Sequence, residues 1–281
     1  MKKLRVAYQG EEGAYSESAL FRYFGEQVQS VSCVDFPEVF ARTIAGETDY
    51  GFIPVENSTA GSIHQNYDLL NQYELYITGE LFYKIHHCLI GLPGTTLEDI
   101  KTAISHPQAL AQSTTFLHEH HIREQAGLDT AGSVRVIKDQ GDKSYAAIAS
   151  ARACKVHNME LLAENIEDFK HNTTRFLAIH KNPLEQNPEM KNYKATFIFS
   201  LPHYPGSLST VLAGIAERSF NLTKIESRPL INKPWEYIFC IDVSGDLPYT
   251  AYADLQTYLT SKTNSSKLVG IYPSAQTIEE G

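Results

Sequence analysis

The chain has 281 residues, 24 Lys and Arg against 33 Asp and Glu for a formal charge of −9, and 42% hydrophobic and 20% charged residues. That length accommodates about two domains, and the composition excludes a disordered, collagen-like or coiled-coil chain. An acidic balance without a basic tract argues against nucleic acid or an anionic membrane surface as the partner, and no apolar run is long enough to span a bilayer.

Residues 4–9 read as a strand that ends at once in a Gly-Glu-Glu turn, too short for a signal-peptide core. With Gly10-Glu-Glu-Gly13-Ala-Tyr15-Ser16 the chain turns into a helix over 15–24. Such a turn either presents backbone N–H groups to an anion or simply caps the helix. A strand over 29–34, a helix over 37–45 and a strand over 50–55 lead to Pro54-Val-Glu56-Asn57-Ser58-Thr59-Ala-Gly61-Ser62. Small hydroxyl and amide groups after a strand favour a ligand site.

Further strands are expected over 84–92 and 101–105, the second ending in Ser105-His106-Pro107-Gln108-Ala-Leu-Ala-Gln112 at the start of a helix over 107–118. Gln108 and Gln112 share a helix face. Neither His86-His87 nor His118-Glu-His120-His121 has a partner set with metal-site spacing, so no metal is expected. A strand over 134–137 and a helix over 143–153 follow, then Asn172-Thr173-Thr174-Arg175-Phe176 opening a strand over 174–179. Strands alternating with helices imply mostly parallel sheets, divided here into two small α/β lobes with a ligand cleft between them. Hydroxyls beside a guanidinium suit a carboxylate, although a capped strand with a solvated Arg reads equally well.

Two prolines within residues 182–191 mark a linker. Beyond it come a strand over 194–201, a helix over 207–219, strands over 222–230 and 235–243 joined by Asn232-Lys-Pro234, a helix over 249–259 and a strand over 267–272. That β-α-β-β-α-β order is ferredoxin-like. Cys33, Cys88, Cys154 and Cys240 are scattered, as befits free thiols in the cytoplasm.

Taken together, Gly10-x-x-Gly13-x-Tyr15-Ser16, Pro54-Val-Glu56-Asn57-Ser58-x-x-Gly61, Ser105-His-Pro-Gln108-x-x-x-Gln112 and Thr174-Arg175-Phe176 resemble the prephenate dehydratase family across almost the whole chain. The resemblance implies a two-lobed dehydratase domain over 1–181, similar to type II periplasmic binding proteins. One lobe would comprise about residues 1–77 plus the return strand. An ACT regulatory domain over 192–281 and a homodimer or homotetramer are also implied. It implies decarboxylating dehydration of prephenate to phenylpyruvate without a cofactor, with arogenate as the alternative substrate.

By the same resemblance Thr174 donates to the leaving hydroxyl and Arg175 anchors a carboxylate. Glu56, Asn57, Ser58, Ser105, Gln112, Thr173 and Phe176 surround the substrate. Gly206, Ser207 and Leu208, with Glu226, Ser227, Arg228 and Pro229 from a partner subunit, would bind L-phenylalanine as an inhibitor. Ser207 stands where that family usually has Ala.

Overall fold

A computed structural model describes residues 3–185, 187, 192–230, 237–275 and 278–279, so most of the linker and the Asn232-Lys-Pro234 turn lie outside the described residues. The first stretch runs β1 (Arg5–Gln9), α1 (Tyr15–Phe24), β2 (Gln29–Cys33), α2 (Phe36–Ala45), β3 (Tyr50–Asn57), β4 (Gly61–Ser62), α3 (His64–Gln72) and β5 (Tyr76–Lys84). The second runs β6 (Cys88–Gly91), β7 (Thr102–Ser105), α4 (Pro107–Ala111), α5 (Thr114–Glu119), β8 (Arg123–Ala126), α6 (Thr130–Gln140), β9 (Tyr145–Ala149), α7 (Ala151–His157) and β10 (Glu160–Ala163). After the return strand β11 (Thr173–His180) come β12 (Tyr193–Ser200), α8 (Ser207–Glu217), β13 (Asn221–Pro229), β14 (Tyr237–Gly245), α9 (Tyr249–Lys262), β15 (Ser265–Pro273) and β16 (Ile278–Glu279).

Three sheets result. The first has the order β16-β5-β11-β3-β1-β2 with β4 attached to β3, the second β10-β6-β9-β7-β8, and the third β13-β14-β12-β15. β1 lies parallel to β2 and β3, whereas β11 inserts antiparallel between β3 and β5. The chain therefore crosses between lobes twice, at residues 85–87 and 164–172, and the cleft opens beside those crossings. The first lobe extends to Lys84, past the limit expected near residue 77.

Two expected elements exchange type. Residues 134–137 lie in α6, where Asp129 accepts from the Gly132 N–H at 2.6 Å and Gly141 ends the helix in the left-handed region at φ 69°. Val134 and Ile137, one turn apart, point into the core, so their spacing is helical. The expected helix over 143–153 is instead the buried strand β9, with α7 starting after the Ser150 cap. Ala-rich Tyr145–Ala149 favours a helix locally, yet parallel pairing with β7 prevails.

The C-terminal sheet is a middle layer. On one face Phe197, Phe199, Ile241 and Val243 pack beneath α8 and α9. On the other, Ile198, Ile238, Cys240 and Val269 share a core with Phe40, Leu70, Ile77, Leu177 and Ile179 of the first lobe. The crossing is close: a Cβ on Gly270 would lie 2.2 Å from the Ile77 carbonyl oxygen. No helix among the described residues is long and apolar enough to cross a membrane.

Candidate active site

Strand alternation divides the expected site residues. Thr174 and Phe176 project from one face of β11, Thr173 and Arg175 from the other. Asn57, Gln112, Asn172, Thr174 and Phe176 line a cavity of about 220 Å³ between the lobes, together with Tyr15, Ser16, His87 and Gln108. Glu56, Ser58, Thr173 and Arg175 line a separate cavity of about 500 Å³ on the opposite face.

Pro54 contributes to this arrangement. It has no N–H for the ladder, and the β3–β11 register slips between Arg175, opposite Glu56, and Phe176, opposite Pro54. Bulges of this kind re-aim side chains.

Within the cleft a closed ring of hydrogen bonds sets the orientation of every amide. Asn57 Oδ1 accepts from the backbone N–H groups of Thr59 at 3.0 Å and Ala60 at 2.9 Å, so its Nδ2 must point the other way. That nitrogen donates to Asn172 Oδ1 and to Thr174 Oγ1, both at 2.9 Å. Asn172 Nδ2 then donates to Gln112 Oε1 at 3.0 Å, Gln112 Nε2 to Thr59 Oγ1 at 2.6 Å, and the Thr59 hydroxyl back to Asn57 Oδ1 at 2.6 Å.

Two consequences follow. Thr174 receives a hydrogen bond on its oxygen, which leaves its own O–H proton available to a ligand. Gln112 Oε1 can only accept, so His87 Nε2, 2.8 Å away, carries the proton, and Nδ1 accepts from the Tyr15 hydroxyl at 2.6 Å. Burial holds the His87 imidazole below its ordinary value, with the Gln112 bond and the Glu167 charge acting in the opposite direction. Burial also pushes the Tyr15 phenol well above its usual range, keeping it a neutral donor. Glu167 ties both crossings together, accepting from the His87 backbone N–H at 2.8 Å and lying 2.7 Å from His86 Nδ1.

Among the described residues that line this cleft there is no Lys, Arg, Asp or Glu. Positive potential comes instead from the first turns of α1, at Tyr15 and Ser16, and of α6, at Thr130.

Several assignments need correction. The Arg175 guanidinium does not face the cleft. It is buried against Glu80 at 2.8 Å, Asp242 at 2.5 Å and the Tyr272 hydroxyl at 3.1 Å, because its position in β11 turns it toward the C-terminal sheet. Ser105 is fully buried and donates to the Ile148 carbonyl at 2.6 Å, a bond between neighbouring strands. Ser58 donates to the His171 carbonyl at 2.9 Å and accepts from the Thr173 N–H at 2.9 Å, clipping β3 to the second crossing. Glu56 turns to Lys224 at 3.1 Å. Phe176 stacks on Phe52 with ring centres 5.1 Å apart and forms the apolar floor of the cleft. Tyr15, Thr59, His87 and Asn172 complete the site. Of these, His87 and Thr59 carried no spacing signal in the sequence, since their roles arise from lobe-to-lobe contact.

A further cavity of about 490 Å³ lies at the start of α8, lined by Ser207, Leu208, Tyr204, Tyr237 and Phe239 among others. Gly206 caps α8 at φ 90°, in the left-handed region that favours glycine. Ser227 and Pro229 pair with Phe239 and Tyr237 and so flank this cavity. Glu226 and Arg228 do not join it within the protomer: Glu226 accepts from Ser62 at 2.7 Å and Arg228 pairs with Asp68 at 2.9 Å, because alternation along β13 turns both toward α3 and β4.

Residues 6–184 match the family model described as prephenate dehydratase. Arogenate dehydratase/prephenate dehydratase 1 of Arabidopsis thaliana, a chloroplastic protein, is 36% identical over 96% of this chain and 72% of its own length. Arogenate dehydratase 2 of Petunia hybrida is 37% identical over 97% of this chain and 72% of its own length. Among solved structures, a prephenate dehydratase from Arthrobacter aurescens in complex with L-Phe superposes with a TM-score of 0.88 at 29% identity, covering 97% of this chain and 90% of that one. GqqA, described as a novel type of quorum quenching acylase, superposes at 0.89 with 31% identity, covering 97% of this chain and 98% of that one.

Proposed function

Because the chain belongs to the prephenate dehydratase family, we propose that its inter-lobe cleft converts prephenate to phenylpyruvate, with Thr174 as the hydrogen-bond donor to the departing hydroxyl. The observation that carries this reading is the Thr174 hydroxyl, which lines the cleft and accepts a hydrogen bond from Asn57 Nδ2, so that its own proton is left to donate.

In the reaction the ring carboxylate leaves as carbon dioxide, the pair from its C–C bond enters the ring, and the C–O bond to the hydroxyl breaks with its pair. The departing hydroxide takes one proton to become water. Aromatisation drives these steps, so the protein has to orient the substrate, polarise the leaving oxygen and avoid holding the departing carboxylate too tightly. A cleft without Lys or Arg in its lining suits the last requirement, since helix termini and neutral amides bind a carboxylate more weakly than a guanidinium fork. At a pKa far above neutrality a threonine acts by hydrogen bonding, within the ~10²- to 10⁴-fold such groups supply. Arg175 has no part in substrate contact in this scheme.

Arogenate differs by a cationic amino group, for which the described lining offers no carboxylate partner, and prephenate is the proposed substrate, with arogenate as the alternative. The cavity at α8 is the proposed phenylalanine site, and the open edge strand β13, with Ile225 exposed on it and Tyr237 exposed on the adjoining β14, is the proposed place of homodimer or homotetramer assembly. Four buried free thiols agree with a cytoplasmic setting.

The test is incubation of the purified chain with prephenate or arogenate while phenylpyruvate and phenylalanine are followed, with and without added phenylalanine. Prephenate turnover suppressed by phenylalanine is expected. Turnover of arogenate alone would reverse the substrate preference, and no turnover of either would overturn the reading.

A further inference from the structure

Arg175 adjoins Thr174 in sequence yet spends its N–H groups outside the cleft. Its Nη1 meets Asp242 at 2.5 Å and its Nη2 meets the Tyr272 hydroxyl at 3.1 Å, both in the C-terminal sheet, while its Nε meets Glu80 at 2.8 Å in its own lobe. Lys194 bonds Glu80 at 2.6 Å and Thr196 bonds Asp242 at 2.6 Å, so the cluster is neutral and internally satisfied. All of these side chains are buried. Screening is weak there, and an ion pair in that setting resists being pulled apart.

Asp242 also has a particular position on β14. Phe239, three residues earlier on the same strand, walls the cavity at α8. At ~3.3 Å per residue the two lie about 10 Å apart on one rigid element. A displacement of β14 caused by a ligand in that cavity therefore moves Asp242, and the planar guanidinium follows its carboxylate. One peptide unit separates Arg175 from Thr174, and the bulge opposite Pro54 leaves this part of β11 without a regular ladder on the β3 side.

We infer that Arg175 is a positioning residue that carries the state of the α8 cavity to Thr174 through Asp242. The inference rests on the reading of that cavity as a phenylalanine site. Lys194 and Glu80 already staple the C-terminal sheet to the first lobe, so the bonds of Arg175 to Asp242 and Tyr272 are the ones that tie the catalytic strand itself to that sheet.

The test uses the full-length protein and two variants, Asp242→Asn and Thr196→Val. The second removes the hydroxyl that donates to Asp242 and bonds the Tyr272 hydroxyl at 2.7 Å while leaving every charge in place, so it decides the matter if the first does not fold. Phenylalanine binding is measured by calorimetry, and inhibition of prephenate turnover is scored relative to each variant's own uninhibited rate. Both variants are expected to bind phenylalanine, while its inhibitory effect weakens by about tenfold or more in Asp242→Asn and by less in Thr196→Val, within the range of ordinary coupling energies. Unchanged inhibition in folded variants would overturn the coupling alone. So would loss of phenylalanine binding, because Asp242 would then be acting on the cavity itself. Absence of inhibition in the unaltered chain would remove the effector reading and this inference together.

Discussion

At the residue scale the site is governed by a few donors whose direction is forced. The backbone N–H groups of Thr59 and Ala60 fix Asn57, and from Asn57 the orientation passes to Thr174, Asn172, Gln112 and His87. His87 is the titratable member, and its folded pKa is lowered mainly by burial. The unfolded imidazole titrates at about 6.5, so below that pH the unfolded chain binds more protons than the folded one. Stability linked to His87 is therefore complete above about pH 6.5 and is lost as pH falls toward the folded value. Thermal unfolding of wild type and His87→Gln at about pH 7.5 and about pH 5.5 checks this, the wild type being expected to lose more Tm on acidification. An equal loss would assign the acid sensitivity to groups other than His87. Residue types were legible in the sequence here: Asn57, Gln112, Thr174 and Phe176 were all named as site residues. Their faces were not, since a run such as Thr173-Thr174-Arg175 names three hydrogen-bonding groups without saying which side of a strand each one serves.

At the element scale, local signals succeeded where caps and prolines punctuate the chain. Helices α1, α2, α8 and α9 and the strands of the C-terminal sheet lie close to their expected bounds, with Asp35 capping α2 and Gly46 closing it. They failed at α6 and β9, where sheet pairing and burial override propensity. Gly270 exposes a related limit. In the sequence it interrupts an apolar strand for no visible reason, yet it allows β15 to cross β5 against the Ile77 carbonyl. Gly270→Ala should force the layers apart at a cost of ~1–3 kcal/mol. For a chain of this size that corresponds to a Tm lower by roughly 2–10 °C. A thermal melt with no measurable change would show that the crossing relaxes freely.

On the scale of the whole molecule, two lobes followed by a ferredoxin-like unit were legible from the alternation of periods and from the proline-rich linker. What could not be read was how the C-terminal unit sits: Ile198 and Cys240 are ordinary strand residues until they meet Leu177 and Ile179. The same docking buries Arg175 among Asp242 and Tyr272 and leaves the cleft to neutral groups and helix termini. Thr173 and Thr174 consequently make the sharpest comparison in the chain, two adjacent hydroxyls with one on each side of the return strand. The decisive measurement is steady-state turnover of prephenate by Thr173→Val and Thr174→Val. The valine at 174 should lower kcat and kcat/KM together by ~10²-fold or more with KM little changed, whereas the valine at 173 should stay within a few fold of wild type. Similar losses in both, or the larger loss at Thr173, would contradict the assignment of catalysis to the inter-lobe cleft.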